Sequence, residues 1–160
     1  MIILGVDPGT ASTGYGLIEI KSGLRPIEHG LIQTFPHEEL SERLRRIYQS
    51  IKDIVEKYQP EEIAVEEIFF CRNVKSAISV GQAQGVIVLA ASWKGGKVFR
   101  YAPLQVKQTI TGYGRATKSQ VQYRVRELLQ LPELPSDDTA DALAVALCHY
   151  YSRFPLRKKV

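Results

Sequence analysis

MIILGVDPGTASTGYGLIEI (residues 1–20) opens the chain with two apolar, strand-like runs, 2–7 and 14–20, separated by the turn residues Pro8, Gly9 and Thr10. A third such run, EHGLIQTF (28–35), follows, and the simplest arrangement of the three is an antiparallel meander. Working outward, Leu40, Leu44, Ile47, Ile51, Ile54 and Tyr58 recur at spacings of three and four, which predicts an amphipathic helix that Pro60 ends. EIAVEE (62–67) reads as a short buried strand parallel to the first, and 74–93 as a second helix. KVFRYAP (97–103) is a further strand, followed by short helical segments through Gly112. Thr117 and Gln120 frame a capping box for a helix to about Gln130, and a last helix starts near Asp137. The order βββαβαβαα predicts one mixed α/β sheet with helices on both faces.

Composition narrows the function classes. A chain of 160 residues is long enough for one domain with its own core. No run reaches the roughly 18 apolar residues of a membrane span, and the start does not have the layout of a secretory signal. Two cysteines, Cys71 and Cys148, exclude a disulfide framework and fit a reducing compartment. A soluble cytoplasmic domain with no membrane partner is expected. The net charge of +4 is modest, but Lys107, Arg115, Lys118, Arg124 and Arg126 crowd into twenty residues around TGYGRATK. Such a cluster suits a polyanion. Arg153, Arg157, Lys158 and Lys159 form a second group, read as a solvated end of the chain.

PSDDTADALAVAL (135–147) poses the chemical question. Acids in a first helical turn complement the helix dipole, and one or two suffice for that. Asp141 lies beyond this need, on a helix otherwise of Ala, Leu and Val. Asp138 and Asp141 share a helical face, and so do Asp137 and Asp141. Asp7 ends the first strand, and Glu66 and Glu67 end the fourth. If those two strands are parallel neighbours, their acids lie side by side. A cluster of this kind repels itself or holds protons unless a hard divalent cation compensates it. Two such cations serve in-line phosphodiester hydrolysis. No nucleophile–base pair competes: His29, His37 and His149 are scattered and read as ordinary surface or helix histidines. GVDPGTASTGYG also looks like the phosphate loop of two-domain ATPases, but one domain of this length offers no second half.

On the helix at 74–93, Ala77, Gly81 and Gly85 make a narrow, smooth face. Interior glycines cost about 1 kcal/mol each against alanine, so a close approach must compensate. Either the helix packs onto its own sheet or it meets the same helix of a second subunit.

Five stretches in register, ILGVDPGTASTGYGLI (3–18), AVEEIFF (64–70), GQAQGVIVLAA (81–91), QVKQTITGYGRATKSQVQ (105–122) and DDTADALAVAL (137–147), resemble the RuvC Holliday-junction resolvases. The resemblance covers almost the whole chain. It implies an RNase H-like mixed five-stranded sheet flanked by helices on both faces, as in retroviral integrases. It implies a homodimer that makes paired symmetric nicks in opposed strands of four-way DNA junctions during recombination and repair. Two Mg²⁺ ions per site are implied, with Mn²⁺ as a substitute. By the matched motifs the metal-binding and catalytic acids are Asp7, Glu66, Asp138 and Asp141, which leaves Asp137 to start the helix. Lys107 and Lys118 match positions that contact DNA near the scissile phosphate. Phe69 matches a residue that stacks on or wedges between bases, in a loop with Phe70 and Arg72, and Arg115 joins the DNA-binding group. The small face at Ala77, Gly81 and Gly85 then leans toward the dimer contact. A branch-migration complex of RuvA and the motor RuvB is the implied partner. The domain would span 1–153 and leave a short basic tail at 154–160. A related RNase H-like nuclease of ribosomal RNA maturation would share the acids without the preference for junctions.

Overall fold

β1 (Ile2–Asp7) sits at the centre of a five-stranded sheet in the computed structural model, which describes residues 1–68 and 74–154. On one side it pairs antiparallel with β2 (Ser12–Ile20), which pairs antiparallel with β3 (Leu24–Gln33). On the other side it pairs parallel with β4 (Glu62–Glu66), and β4 with β5 (Lys97–Tyr101). The order is therefore β3-β2-β1-β4-β5. The helices are α1 (Leu40–Tyr58), α2 (Val74–Ala91), α3 (Pro103–Thr111), α4 (Lys118–Leu129) and α5 (Asp137–Arg153). Among the described residues no helix is long and apolar enough to cross a membrane.

Strand parity divides the core in two. Leu4 and Val6 of β1, Leu17 of β2 and Ile63 and Val65 of β4 pack with Ile47, Ile51 and Val55 of α1 and Ala83, Ile87 and Ala90 of α2. The alternate positions, Ile3, Ile18 and Ala64, face α3, α4 and α5 with Val106, Val121, Val125, Leu143 and Leu147. Because successive side chains on a strand point to opposite faces, Asp7 shares its face with Ile3 and Gly5. Glu66 shares its face with Glu62 and Ala64. Both acids thus belong to the side of the sheet that α5 covers, and Glu67, of opposite parity, is exposed.

Several sequence-derived boundaries shift: β4 ends at Glu66 and β5 at Tyr101, and β2 begins two residues early, where Ser12 pairs with Gln33. β3 begins four early at Leu24, because a bulge at Leu17/Ile18 lets the pairing run past Pro26 on the edge strand. β3 ends at Gln33 because Thr34 turns inward: its N–H donates to the Ala11 carbonyl at 3.1 Å and its hydroxyl to the Thr10 carbonyl. The second helix stops at Ala91, in a short 3-10 turn closed by Gly95 at φ 79°. The expected capping box is present, with Gln120 N–H donating to Thr117 Oγ1 at 3.2 Å and Thr117 N–H to Gln120 Oε1 at 2.8 Å.

His149 departs from the surface-type reading. It lies on α5 but is fully buried, with Nδ1 2.6 Å from the Tyr101 hydroxyl and Nε2 2.6 Å from Glu62 Oε2. Arg153 reaches the other Glu62 oxygen at 3.1 Å, and Phe99 covers the imidazole at a ring separation of 4.5 Å. Glu62 is itself buried, so this network ties the start of β4 to the end of α5. Glu62→Ala should lower stability by about 3 kcal/mol, measured by urea denaturation, because it strands His149 and Arg153 without their acceptor.

α5 lies unusually close to the sheet. A Cβ at Gly5 would fall 2.1 Å from the Ala142 carbonyl oxygen, and one at Gly14 2.0 Å from that of Asp138. The helix answers with Ala140, Ala142, Ala144 and Ala146, all buried. Gly14→Ala must therefore push the first turn of α5 off β2. The expected cost is about 1–3 kcal/mol of stability, again read from denaturation.

Candidate active site

The C-terminal edge of β1 and β4 brings two buried carboxylates together. Val6 and Val65 are the last register partners of the parallel pair, which sets Asp7 beside Glu66 one position on, and their side chains hydrogen-bond to each other. Burial, then the charge of Asp141, raises Asp7 from 3.8 to about 7. Burial, then the charge of Asp7, raises Glu66 from 4.5 to about 9. Burial and mutual repulsion thus favour a proton shared within the pair near neutral pH. Gln84 of α2 holds the strand end by donating to the Glu66 carbonyl at 2.9 Å.

α5 supplies the other two acids from across the edge, where its first turn rests on Gly14, the β2 residue paired with Asp7. Asp138 and Asp141 are half-buried, whereas the Asp137 side chain is 53% exposed against 20% for Asp141. Burial raises the pKa of Asp141, and Lys118 partly offsets the rise. Lys118, the first residue of α4, places Nζ 3.6 Å from Asp141 and 4.0 Å from Asp137. Burial opposes the charge on Lys118, but Asp141, Asp137 and Asp138 outweigh it and raise its pKa. Lys107 of α3 is half-buried, and its charge acts on Glu66. Arg115 is exposed in the loop between α3 and α4.

The structure thus gathers Asp7, Glu66, Asp138 and Asp141 with Lys107 and Lys118. Among the described residues no three His, Cys, Asp or Glu side chains stand close enough to hold a metal ion as they are. Here the carboxylates satisfy one another with a shared proton and an ammonium group. The donor set nevertheless fits a hard cation: it is all oxygen, and three of its members are held above their ordinary pKa by burial and mutual repulsion. Phe69 and Arg72, with Phe70, lie outside the described residues. On α2, among the described residues, a Cβ at Gly85 would meet nothing within 4 Å, and one at Gly81 would meet only Ile68 at 3.8 Å. The small face, with half-buried Ala77, does not pack onto the sheet; α2 uses Ala83, Ile87 and Ala90 against the core instead.

Sequence reasoning missed the brace behind Asp7. Arg43 of α1 donates from Nε and Nη2 to the Thr10 carbonyl at 3.2 and 2.6 Å, and from Nε to Thr34 Oγ1 at 3.0 Å. Thr13, fully buried, donates to the Gly9 carbonyl at 2.7 Å. These bonds hold the 8–11 turn that follows Asp7. No periodicity marks Arg43, since it is one polar residue among several on an amphipathic helix. The only sign of Thr13 and Thr34 in the sequence is that they are polar residues beside or inside strand-like runs.

A meander of three strands extended by two parallel strands, with acids at the ends of the central pair, is the RNase H-like arrangement, and this fold is the one the chain has. A family model described as crossover junction endodeoxyribonuclease RuvC matches residues 3–149, and the chain belongs to that family. A relative from Pelotomaculum thermopropionicum named crossover junction endodeoxyribonuclease RuvC is 54% identical over 151 residues, 93% of this chain and 92% of the relative. One of the same name from Desulforamulus reducens is 52% identical over 151 residues, 93% of each chain. The solved structure of T. thermophilus RuvC in complex with a Holliday junction substrate superposes with a TM-score of 0.89 at 39% identity, over 96% of each chain.

The raised acids have a stability signature with a definite sign. In the fold Asp7 and Glu66 keep protons that they lose at ordinary carboxylate pKa when unfolded. Their contribution is complete below about pH 4 and is lost as pH rises through about 7 for Asp7 and about 9 for Glu66. Metal-free protein should therefore weaken steadily from pH 5 to 9. Asp7→Asn should remove the lower part of that decline and be about 1–2 kcal/mol more stable than wild type at pH 8 in chelator. Calorimetry across pH checks both statements.

Proposed function

We propose that this protein is a Holliday-junction resolvase, a structure-selective endonuclease that makes paired, symmetric nicks in opposed strands of four-way DNA junctions in recombination and repair. The observation that carries the reading is the convergence of four carboxylates from β1, β4 and α5 beside two lysines, in a chain of the RuvC family. Residues 1–153 are the nuclease domain and 154–160 a short basic tail, and the enzyme works in the cytoplasm.

Asp7, Glu66, Asp138 and Asp141 would hold two Mg²⁺ ions, with Mn²⁺ as a substitute; bound there, such ions activate a water and steady the leaving oxygen of a phosphodiester. The four acids come from three rigid elements, so their spacing is set by strand register and by the seat of α5 rather than by loop motion. To hold cations, Asp7 and Glu66 would have to release their shared proton to solvent. Lys118, freed from Asp141, would offer its ammonium group to a phosphate oxygen. Lys107 supplies a second point charge on the Glu66 side. Arg115, Arg72 and Phe69 complete the DNA contacts, the arginines on phosphates and the phenylalanine against bases opened at the crossover.

Symmetric cutting requires two sites related by a two-fold axis. α2 supports a homodimer contact, because Ala77, Gly81 and Gly85 border exposed Ile78 and Leu89, an apolar strip outside this subunit's core. Binding should depend on phosphate contacts and fall steeply with salt. RuvA and RuvB, the branch-migration complex, are the partners that family membership suggests.

End-labelled junctions with varied thymine-containing crossovers, matched linear duplex and structured RNA test the reading. Wild type should nick the junction symmetrically and only with a divalent cation. Asp7→Asn should bind the junction normally and cut at least about a hundredfold more slowly. Preferential cleavage of the RNA would move the protein to an RNA-maturation role. Junction binding with no metal-dependent cut at any crossover sequence would make it a binding module.

A further inference from the structure

Among the described residues, all but one of the exposed aromatic rings have another ring or a cation against them. Phe35 stacks on His37, with Arg46 over its ring. Trp93 lies under Lys52, Tyr123 under Arg126, and Phe154 packs on Tyr150. Tyr113 is 58% exposed and its ring has no such partner. It stands in the GYGRAT turn between α3 and α4, five positions before Lys118 and two before Arg115.

The turn that carries it is firmly built. Gly112, at φ 78°, closes α3 with its N–H on the Gln108 carbonyl at 2.9 Å, and Gln108 Nε2 returns a bond to the Gly112 carbonyl at 3.1 Å. Thr111 Oγ1 accepts from the Tyr113 N–H at 3.2 Å and donates to the Lys107 carbonyl at 2.8 Å. The Tyr113 carbonyl accepts from the N–H of buried Ala116 at 3.1 Å. All the backbone polar groups of Tyr113 are thus engaged locally, and its bare ring projects from a fixed base. Little conformational entropy remains to be lost when something covers it. The covering group is signalled by charge: Lys107, Arg115 and Lys118 flank the turn, and Lys118 reaches Asp141. By chain length alone Tyr113 lies at most about 17 Å from Lys118, or about five nucleotides along a strand.

We propose that Tyr113 is a stacking platform for a nucleobase of the junction strand that passes the acid cluster, working beside the phosphate contacts of Arg115 and Lys118. The inference rests on the junction-nuclease reading and adds to it a contact that depends on aromatic surface rather than on charge. In a linear duplex both faces of each base are already covered, so the ring favours the crossover, where bases become unstacked. This gives the turn a part in selecting junctions over duplex.

The test uses full-length wild type, Tyr113→Ala, Tyr113→Phe and Arg115→Ala. Binding to a labelled junction and to a matched duplex is measured over a salt series without divalent cation, and junction cleavage with Mg²⁺. Tyr113→Ala should bind the junction about five- to a hundredfold more weakly, with an unchanged salt slope and little loss on duplex. Tyr113→Phe should match wild type within about twofold. Arg115→Ala should instead flatten the salt slope by about one and weaken both DNAs. Wild-type junction affinity in Tyr113→Ala, equal losses on junction and duplex, or a loss in Tyr113→Phe as large as in Tyr113→Ala would each overturn the proposal. A wild type that neither prefers nor cuts the junction would overturn the functional reading itself, and the stacking role with it.

Discussion

The backbone of α5 rests on the backbone of β1 and β2 at a distance that only glycine permits. Gly5 and Gly14 each leave room for a helix carbonyl where a methyl group would collide. The buried alanines of α5 continue the fit. This close seat is made of dispersion contacts between small groups and is intolerant of added volume. It fixes the height of α5 over the sheet, and so sets Asp138 and Asp141 opposite Asp7. Farther along, the buried Glu62–His149–Tyr101 network pins the same helix at its other end. α5 is therefore held at both ends, by packing near the acids and by polar bonds far from them.

At the acid edge, stability and function oppose each other. Four carboxylates in a half-buried place are electrostatically costly, and the protein on its own relieves the cost with a shared proton and with Lys118. In the proposed nuclease both arrangements would give way to cations, which a cluster neutralised by arginines would not allow. The surrounding braces, Arg43 and Thr34 on the 8–11 turn and Gln84 on the end of β4, hold the backbone around the acids. Order in the backbone and frustration in the side chains are both needed there.

Much of this could be read without coordinates. The period-3.6 pattern of Leu40 to Tyr58, the Thr117/Gln120 capping box and the order of the strands follow from local chemistry and recur in the structure; the short helical segments read through Gly112 form a full helix, α3, which the order βββαβαβαα left out. Asp7, the Glu66/Glu67 pair and Asp141 were also legible as candidates, since acids at strand ends and on an apolar helix have no local purpose. Glu66 and Glu67 could not be separated by spacing alone, although parity with Glu62 and Ala64 decides the matter once the buried face is known. His149 is a helix histidine, as one of the two readings had it, but an imidazole on a helix gives no local sign of a glutamate 87 residues away.

The elements, most of their order and the residue types available for chemistry were fixed along the chain, because they depend on interactions within a few residues. Which groups meet was fixed by the folded arrangement: Arg43 with Thr10, His149 with Glu62, Lys118 with Asp141, and the exposed ring of Tyr113 beside a basic turn. Those meetings join side chains far apart in the chain at distances of a few ångströms. Their strength depends on burial and orientation, which no local pattern of residues encodes.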